Sequence, residues 1–111
     1  MALFYDNNTE DTTHIGEFQR VERVYAIRFS ECTNAHSMLL DKIYRSLPEF
    51  KGYVYDGLPY WFGVEEDSPP FLWASVEPSG LLVCGMLTSN QWLAWDTQFR
   101  QHLLEFPVFE V

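Results

Sequence analysis

An α+β fold is expected for this chain: a mainly antiparallel sheet of about five strands with two helices packed on one face, in the order β-α-β-β-β-β-α. Three features point there. Apolar residues alternate in VERVYAIRF, residues 21–29. Two aromatic-rich stretches in the middle of the chain are each folded back by turn residues. Two further segments repeat apolar side chains every three or four positions between a capping residue and a proline.

Taken in chain order, residues 6–13, DNNTEDTT, are polar and acidic without an apolar period, and read as an arm or loop. In VERVYAIRF, extended geometry puts Val21, Tyr25, Ile27 and Phe29 on one side and Glu22, Val24, Ala26 and Arg28 on the other, so a strand partly buried on both sides is expected. Ser30 or Thr33 can cap the next segment, in which Cys32, Ala35, Leu39, Ile43 and Leu47 form one helical stripe. Pro48 closes it, because the residue before a proline is pushed out of helical geometry.

The middle of the chain is dominated by rings: Phe50, Tyr53, Tyr55, Tyr60, Trp61, Phe62, Phe71 and Trp73. Asp56-Gly57 with Pro59 marks a turn. A four-residue DGLP loop would set Tyr55 opposite Tyr60, Tyr53 opposite Phe62, and Val54 with Trp61 on the other side. Glu65, Glu66, Asp67 and Pro69-Pro70 then form a charged, stiff connection. FLWASVE and LLVCGML make a second hairpin across Pro78-Ser79-Gly80. Last, Thr88 and Gln91 have capping-box spacing, and Trp92, Trp95, Phe99, Leu103 and Phe106 share one helical face that ends at Pro107. The paired tryptophans are expected to anchor that helix on the sheet.

At 111 residues and with no repeat or low-complexity tract, residues 1–111 are expected to form a single domain. No run of about 18 apolar residues and no basic segment ahead of a hydrophobic stretch occurs, so a soluble cytoplasmic protein is expected. Cys32 and Cys84 are too few for a disulfide scaffold, and in a reducing compartment the Asn7-Asn8-Thr9 sequon is incidental.

Seven Lys/Arg stand against 16 Asp/Glu, a formal net charge of −9. Residues 52–111 hold Arg100 as the single cation among 8 acids, net −7. Nucleic acid and anionic membrane are therefore not expected as partners, since both require clustered cations. A basic protein partner is electrostatically favoured.

No constellation in the sequence carries chemistry, and no cofactor or metal is expected. Cys32 and His36 have a ligand-compatible spacing of four, but two ligands do not make a site. An apolar helix face also raises a thiol pKa, which disfavours a nucleophilic cysteine. Asp6, Asn8, Glu10, Thr12, His14 and Glu17 match the ligand positions of a calcium loop, but Asp11 occupies the position that requires glycine. His14, His36 and His102 fall in different elements and suggest no triad. Asp96 borders the second helix stripe with Arg100 one turn onward, a polar site that reads as an ion pair at the core edge or a charged contact for a partner.

What remains is an aromatic content of 17%. Two helices cover only one face of a small sheet, and Tyr53, Tyr55, Tyr60, Trp61 and Phe62 with Glu65, Glu66 and Asp67 are the expected partner-binding set on the other. The functional expectation is a non-catalytic acidic interaction module, forming a homodimer or binding a protein partner, for example as a small inhibitor or immunity-type protein. The alternative is a small-molecule-binding domain or small enzyme with an aromatic-lined pocket, in which Asp96, His36 or His102 would act as acid or base.

Overall fold

The computed structural model describes residues 2–7 and 14–111. Among these residues seven strands and two helices occur: β1 (Phe4–Asp6), β2 (His14–Ile15), β3 (Phe18–Tyr25), α1 (Asn34–Ser46), β4 (Phe50–Tyr53), β5 (Pro59–Trp61), β6 (Phe71–Glu77), β7 (Gly80–Leu87) and α2 (Ser89–Arg100). Short 3₁₀ turns lie at Phe29–Glu31 and Leu103–Glu105. The sheet is antiparallel in the order β1-β3-β7-β6-β5-β4, and β2 pairs with the start of β3.

The connection from β3 to the far edge strand β4 runs through α1, and the meander β4-β5-β6-β7 then returns to pair β7 with β3. Helix α1 consequently lies by β4, while α2 lies over β3 and β7. Both helices pack on the same face. Their apolar sides join Val21, Tyr25, Trp61, Leu72, Ala74, Leu81, Val83 and Leu87 of the sheet in one core. Trp95 is fully buried there, edge-on to Trp61 at 5.1 Å and stacked on Phe99 at 5.2 Å and Trp92 at 5.9 Å. The tryptophan pair therefore anchors α2 as expected.

The capping box at Thr88 and Gln91 forms in both directions, at 3.1 Å and 3.0 Å. Other elements depart from expectation. β1 and β2 are short additions to β3 on either side of the acidic segment; Asp6 ends β1, Asn7 donates its N–H to the Glu22 carbonyl, His14 lies in β2 and Glu17 just before β3, and positions 8–13 of the expected arm and calcium loop lie outside the described residues. β3 starts at Phe18 and stops at Tyr25, because the chain bends into a 3₁₀ turn at Phe29. The buried stripe of α1 is Leu40, Ile43, Tyr44 and Leu47, rotated from the Cys32-Ala35-Leu39 line. Helix α2 ends at Arg100, and a 3₁₀ turn carries Leu103 and Phe106 into the same core.

The first hairpin also differs. Its pairs are Phe50 with Trp61, Gly52 with Tyr60 and Tyr53 with Pro59, with a bulge between Phe50 and Gly52. Val54 is exposed and does not meet Trp61 across the ladder. The second hairpin is tighter than expected: Glu77 pairs with Gly80, leaving Pro78-Ser79 as a two-residue loop.

Gly85 sits in β7 between Val21 and Leu72. A Cβ there would collide with the Phe71 carbonyl oxygen and come within 2.8 Å of Leu72 Cα. Backbone has little room to retreat in a central strand, so Gly85→Ala is expected to cost about 1–3 kcal/mol. Urea denaturation followed by tryptophan fluorescence checks this, and an unchanged midpoint would contradict it.

Candidate functional site

The helices leave the second sheet face uncovered by any helix. Antiparallel pairing carries three rows of side chains across it. The first is Arg20, Met86 and Phe71; the second is Glu22, Cys84, Trp73 and Tyr60; the third is Tyr5, Val24, Leu82 and Ser75. Val24, Tyr60, Phe71 and Met86 are buried yet stand apart from the helix-side core. Trp73, Leu82 and Cys84 are half-buried between them. The result is a second apolar surface, continuous across four strands.

The connection between β5 and β6 overhangs this surface. Glu66 and Asp67 line a groove of about 390 Å³ with Arg20, Phe71, Trp73, Cys84 and Met86. On its other flank, Glu65, Glu66 and Asp67 join Tyr55, Asp56 and Tyr60 around a second groove of about 370 Å³. The surface is thus apolar in the middle and acidic at the rim. Arg20 is bound to Glu22 at 2.7 Å, so its charge is locally offset. The Tyr55 hydroxyl donates to Glu65 at 3.2 Å, and its ring meets Tyr60 edge-on at 5.6 Å.

Five residues of the expected partner-binding set, Tyr55, Tyr60, Glu65, Glu66 and Asp67, come together here. Three do not. Trp61 is fully buried in the helix-side core, with its indole N–H donating to the Tyr44 carbonyl at 3.0 Å. Phe62 has φ 70° and packs against that same core. Tyr53 lies on the helix side, its hydroxyl donating to Asp41 at 2.5 Å. The bulge between Phe50 and Gly52 shifts the register, and with it the face on which each ring emerges. Trp73, Leu82, Cys84 and Met86 take their place. The sequence signal for them was available: in FLWASVE and LLVCGML both alternating sets are largely apolar, the mark of strands covered on both sides.

Asp96 and Arg100 also meet, at 3.0 Å, but as part of a larger buried cluster. Asp96 accepts from Arg23 Nη1 at 2.8 Å and from the Tyr25 hydroxyl at 2.5 Å. The Arg23 guanidinium lies 4.0 Å from the Phe4 ring centroid and 5.0 Å from that of Trp92. Burial, reinforced by the Asp96 charge, holds the Tyr25 phenol well above its usual range, which keeps it a donor. This cluster faces α2 rather than the uncovered surface. It reads as the structural form of the polar site.

The three candidate acid-base groups do not share a concavity. Asp96 is under α2, His36 lines a groove beside Phe106, and His102 pairs with Glu105 near Leu39 and Lys42. Cys84 points to the opposite face of the sheet from α1, so it cannot join Cys32 and His36. Among the described residues no three His, Cys, Asp or Glu side chains are placed to hold a metal ion. Among the described residues no helix is long and apolar enough to cross a membrane. No protein family, curated protein or solved structure matches the chain.

Burial pushes the Cys84 thiol up to about 11, with Glu22 adding to the shift. Burial, then the Asp41 hydrogen bond and charge, pushes the Tyr53 phenol up to about 12. Tyr44 is raised further by burial. For the two phenols the folded pKa exceeds the unfolded one, so their stabilisation is complete below the unfolded value near 10.0 and lost as pH climbs through the folded value. An ultraviolet titration is expected to show Tyr25, Tyr44 and Tyr53 still protonated at pH 10, with all six tyrosines titrating together in urea. A single transition near pH 10 for all six in the native protein would contradict this.

Proposed function

We propose that the protein is a non-catalytic interaction module whose helix-free sheet face takes a basic protein partner. The observation that carries this reading is the second apolar surface, with Trp73, Leu82 and Cys84 at its centre and Glu66 and Asp67 at its rim. An aromatic anchor in an apolar centre supplies desolvation energy, and the charged rim supplies steering and register. A net charge of −9 extends that attraction beyond the contact itself. A homodimer through this face would set two acidic rims together, so a cationic partner is the better match. An inhibitor or immunity-type role, in which the module occludes a basic target, belongs to this class.

Affinity capture from cells tests the reading with three chains: wild type, Trp73→Asp, and Leu93→Asp. Leu93 is exposed on α2, on the helix side of the molecule. The expected result is a basic protein retained by wild type and Leu93→Asp, lost with Trp73→Asp, and weakened as salt rises from about 50 to about 500 mM. Capture indifferent to Trp73→Asp would overturn the reading, and a captured acidic protein with no salt dependence would overturn its electrostatic part.

A further inference from the structure

The connection between β5 and β6 is pinned at both of its ends. A Cβ on Gly63 would collide with the Pro70 carbonyl oxygen, so the base of the connection closes backbone against backbone. Within it the Ser68 N–H donates to the Glu65 carbonyl at 3.1 Å, and the Tyr55 hydroxyl holds the Glu65 carboxylate at 3.2 Å. Glu65 is thereby engaged on the Tyr55 side. Glu66 and Asp67 line the groove of about 390 Å³ on the helix-free face, with Phe71, Trp73, Cys84 and Met86. Burial and then the Glu66 charge raise the Tyr60 phenol, so this carboxylate is felt on the sheet itself.

Among the described residues no ring or guanidinium packs on Trp73, and neither the Glu66 nor the Asp67 carboxylate holds a hydrogen bond or an ion pair. Arg20, the cation among the lining residues, is bound to Glu22 at 2.7 Å. The groove thus offers a half-buried indole beside two unpaired carboxylates. A guanidinium matches both features, because its plane stacks on an indole face while its fork of N–H donors reaches carboxylate oxygens. An ammonium shares the charge but not the plane. An apolar side chain would cover the carboxylates without pairing them. We propose that this groove receives a single arginine side chain of the basic partner. The proposal rests on the reading of the helix-free face as a partner surface, and it names the residue type that the surface recognises.

Titration of the isotopically labelled whole chain with Nα-acetyl-arginine amide, read at the Trp73 indole N–H resonance, provides the test, with the citrulline and lysine counterparts as controls. A saturable Trp73 shift is expected with the arginine probe, with neutral citrulline at least about tenfold weaker and lysine about threefold weaker. Removing the groove charges with Glu66→Gln, Asp67→Asn is expected to weaken arginine binding about tenfold. Removing the same charge from the outer flank with Asp56→Asn, Glu65→Gln is expected to change it less than about twofold, since those carboxylates lie outside this groove. All four positions are exposed, so the fold tolerates the changes. Equal affinity for arginine and citrulline would overturn the proposal, as would no saturable shift at Trp73. Equal losses from the two double variants would reduce the effect to net charge and overturn it too, and lysine binding as tightly as arginine would overturn the guanidinium assignment. The capture experiment separates this failure from that of the face: a basic protein lost with Trp73→Asp but held undiminished by Glu66→Gln, Asp67→Asn would keep the face and overturn the arginine subsite.

Discussion

Replacing Asp96 by alanine is expected to destabilise the protein by about 3–5 kcal/mol, because it strands a guanidinium that the fold has taken out of water. The Arg23 side chain is 11% exposed and that of Asp96 7%, so neither charge is well hydrated. The remaining carboxylate near Arg23, Asp6, stands 3.8 Å away and is itself 49% exposed, a weaker partner. The Tyr25 hydroxyl would lose its acceptor in the same step. Arg23 Nε makes no hydrogen bond among the described residues, so the cluster is imperfectly satisfied even in the native protein. That detail sets up a second arm. An Arg23→Met, Asp96→Leu double variant removes both charges and is expected to recover most of the loss. Urea denaturation of the wild type, Arg23→Met, Asp96→Leu and the double closes the cycle, with Asp96→Ala measured beside them. A cost for Asp96→Ala below about 1 kcal/mol would mean that Arg23 is hydrated and the cluster is surface-like.

Trp95→Ala is expected to cost about 3–5 kcal/mol, through a cavity bordered by Trp61, Phe99 and Trp92 that these rings cannot collapse to fill. Its counterpart on the helix-free face behaves differently. Trp73→Ala removes a ring that is half-buried and is expected to cost less than about 1.5 kcal/mol. The same residue type thus separates the two faces of the sheet: one tryptophan holds the helices, and the other stands half-buried on the face proposed to take a partner. Matched denaturation curves measure the contrast. Equal losses would place Trp73 in a core and remove it from the proposed surface.

Local chemistry made parts of this architecture legible. The capping box at Thr88 and the stripe from Trp92 to Phe106 placed α2 and its buried face, although the helix itself stops at Arg100. The Pro78-Ser79-Gly80 turn placed the β6-β7 hairpin to within one residue. Helix α1 was harder, because Leu39 and Leu40 offer two overlapping stripes and only docking against the sheet selects the one through Leu40, Ile43 and Tyr44. The aromatic hairpin forms as expected, with Tyr55 against Tyr60, but its register was hidden for a related reason. Positive φ values at Asp56 and Phe62 and the bulge before Gly52 are backbone events that shift register without changing composition. Arg23 and Asp96 lie 73 positions apart, and nothing in the sequence pairs them before β3 passes beneath α2.

Radical footprinting with mass spectrometry, on the isolated chain and on the complex with its captured partner, tests most directly whether the helix-free face is the working surface. In the isolated chain Trp73 and Leu82 are expected to label while Trp61, Leu72 and Trp95 do not, and in the complex the labelling of Trp73 and Leu82 is expected to fall while exposed Met38 and Leu93 on the helices stay unchanged. Protection that appeared on the helices and spared Trp73 and Leu82 would contradict the proposal.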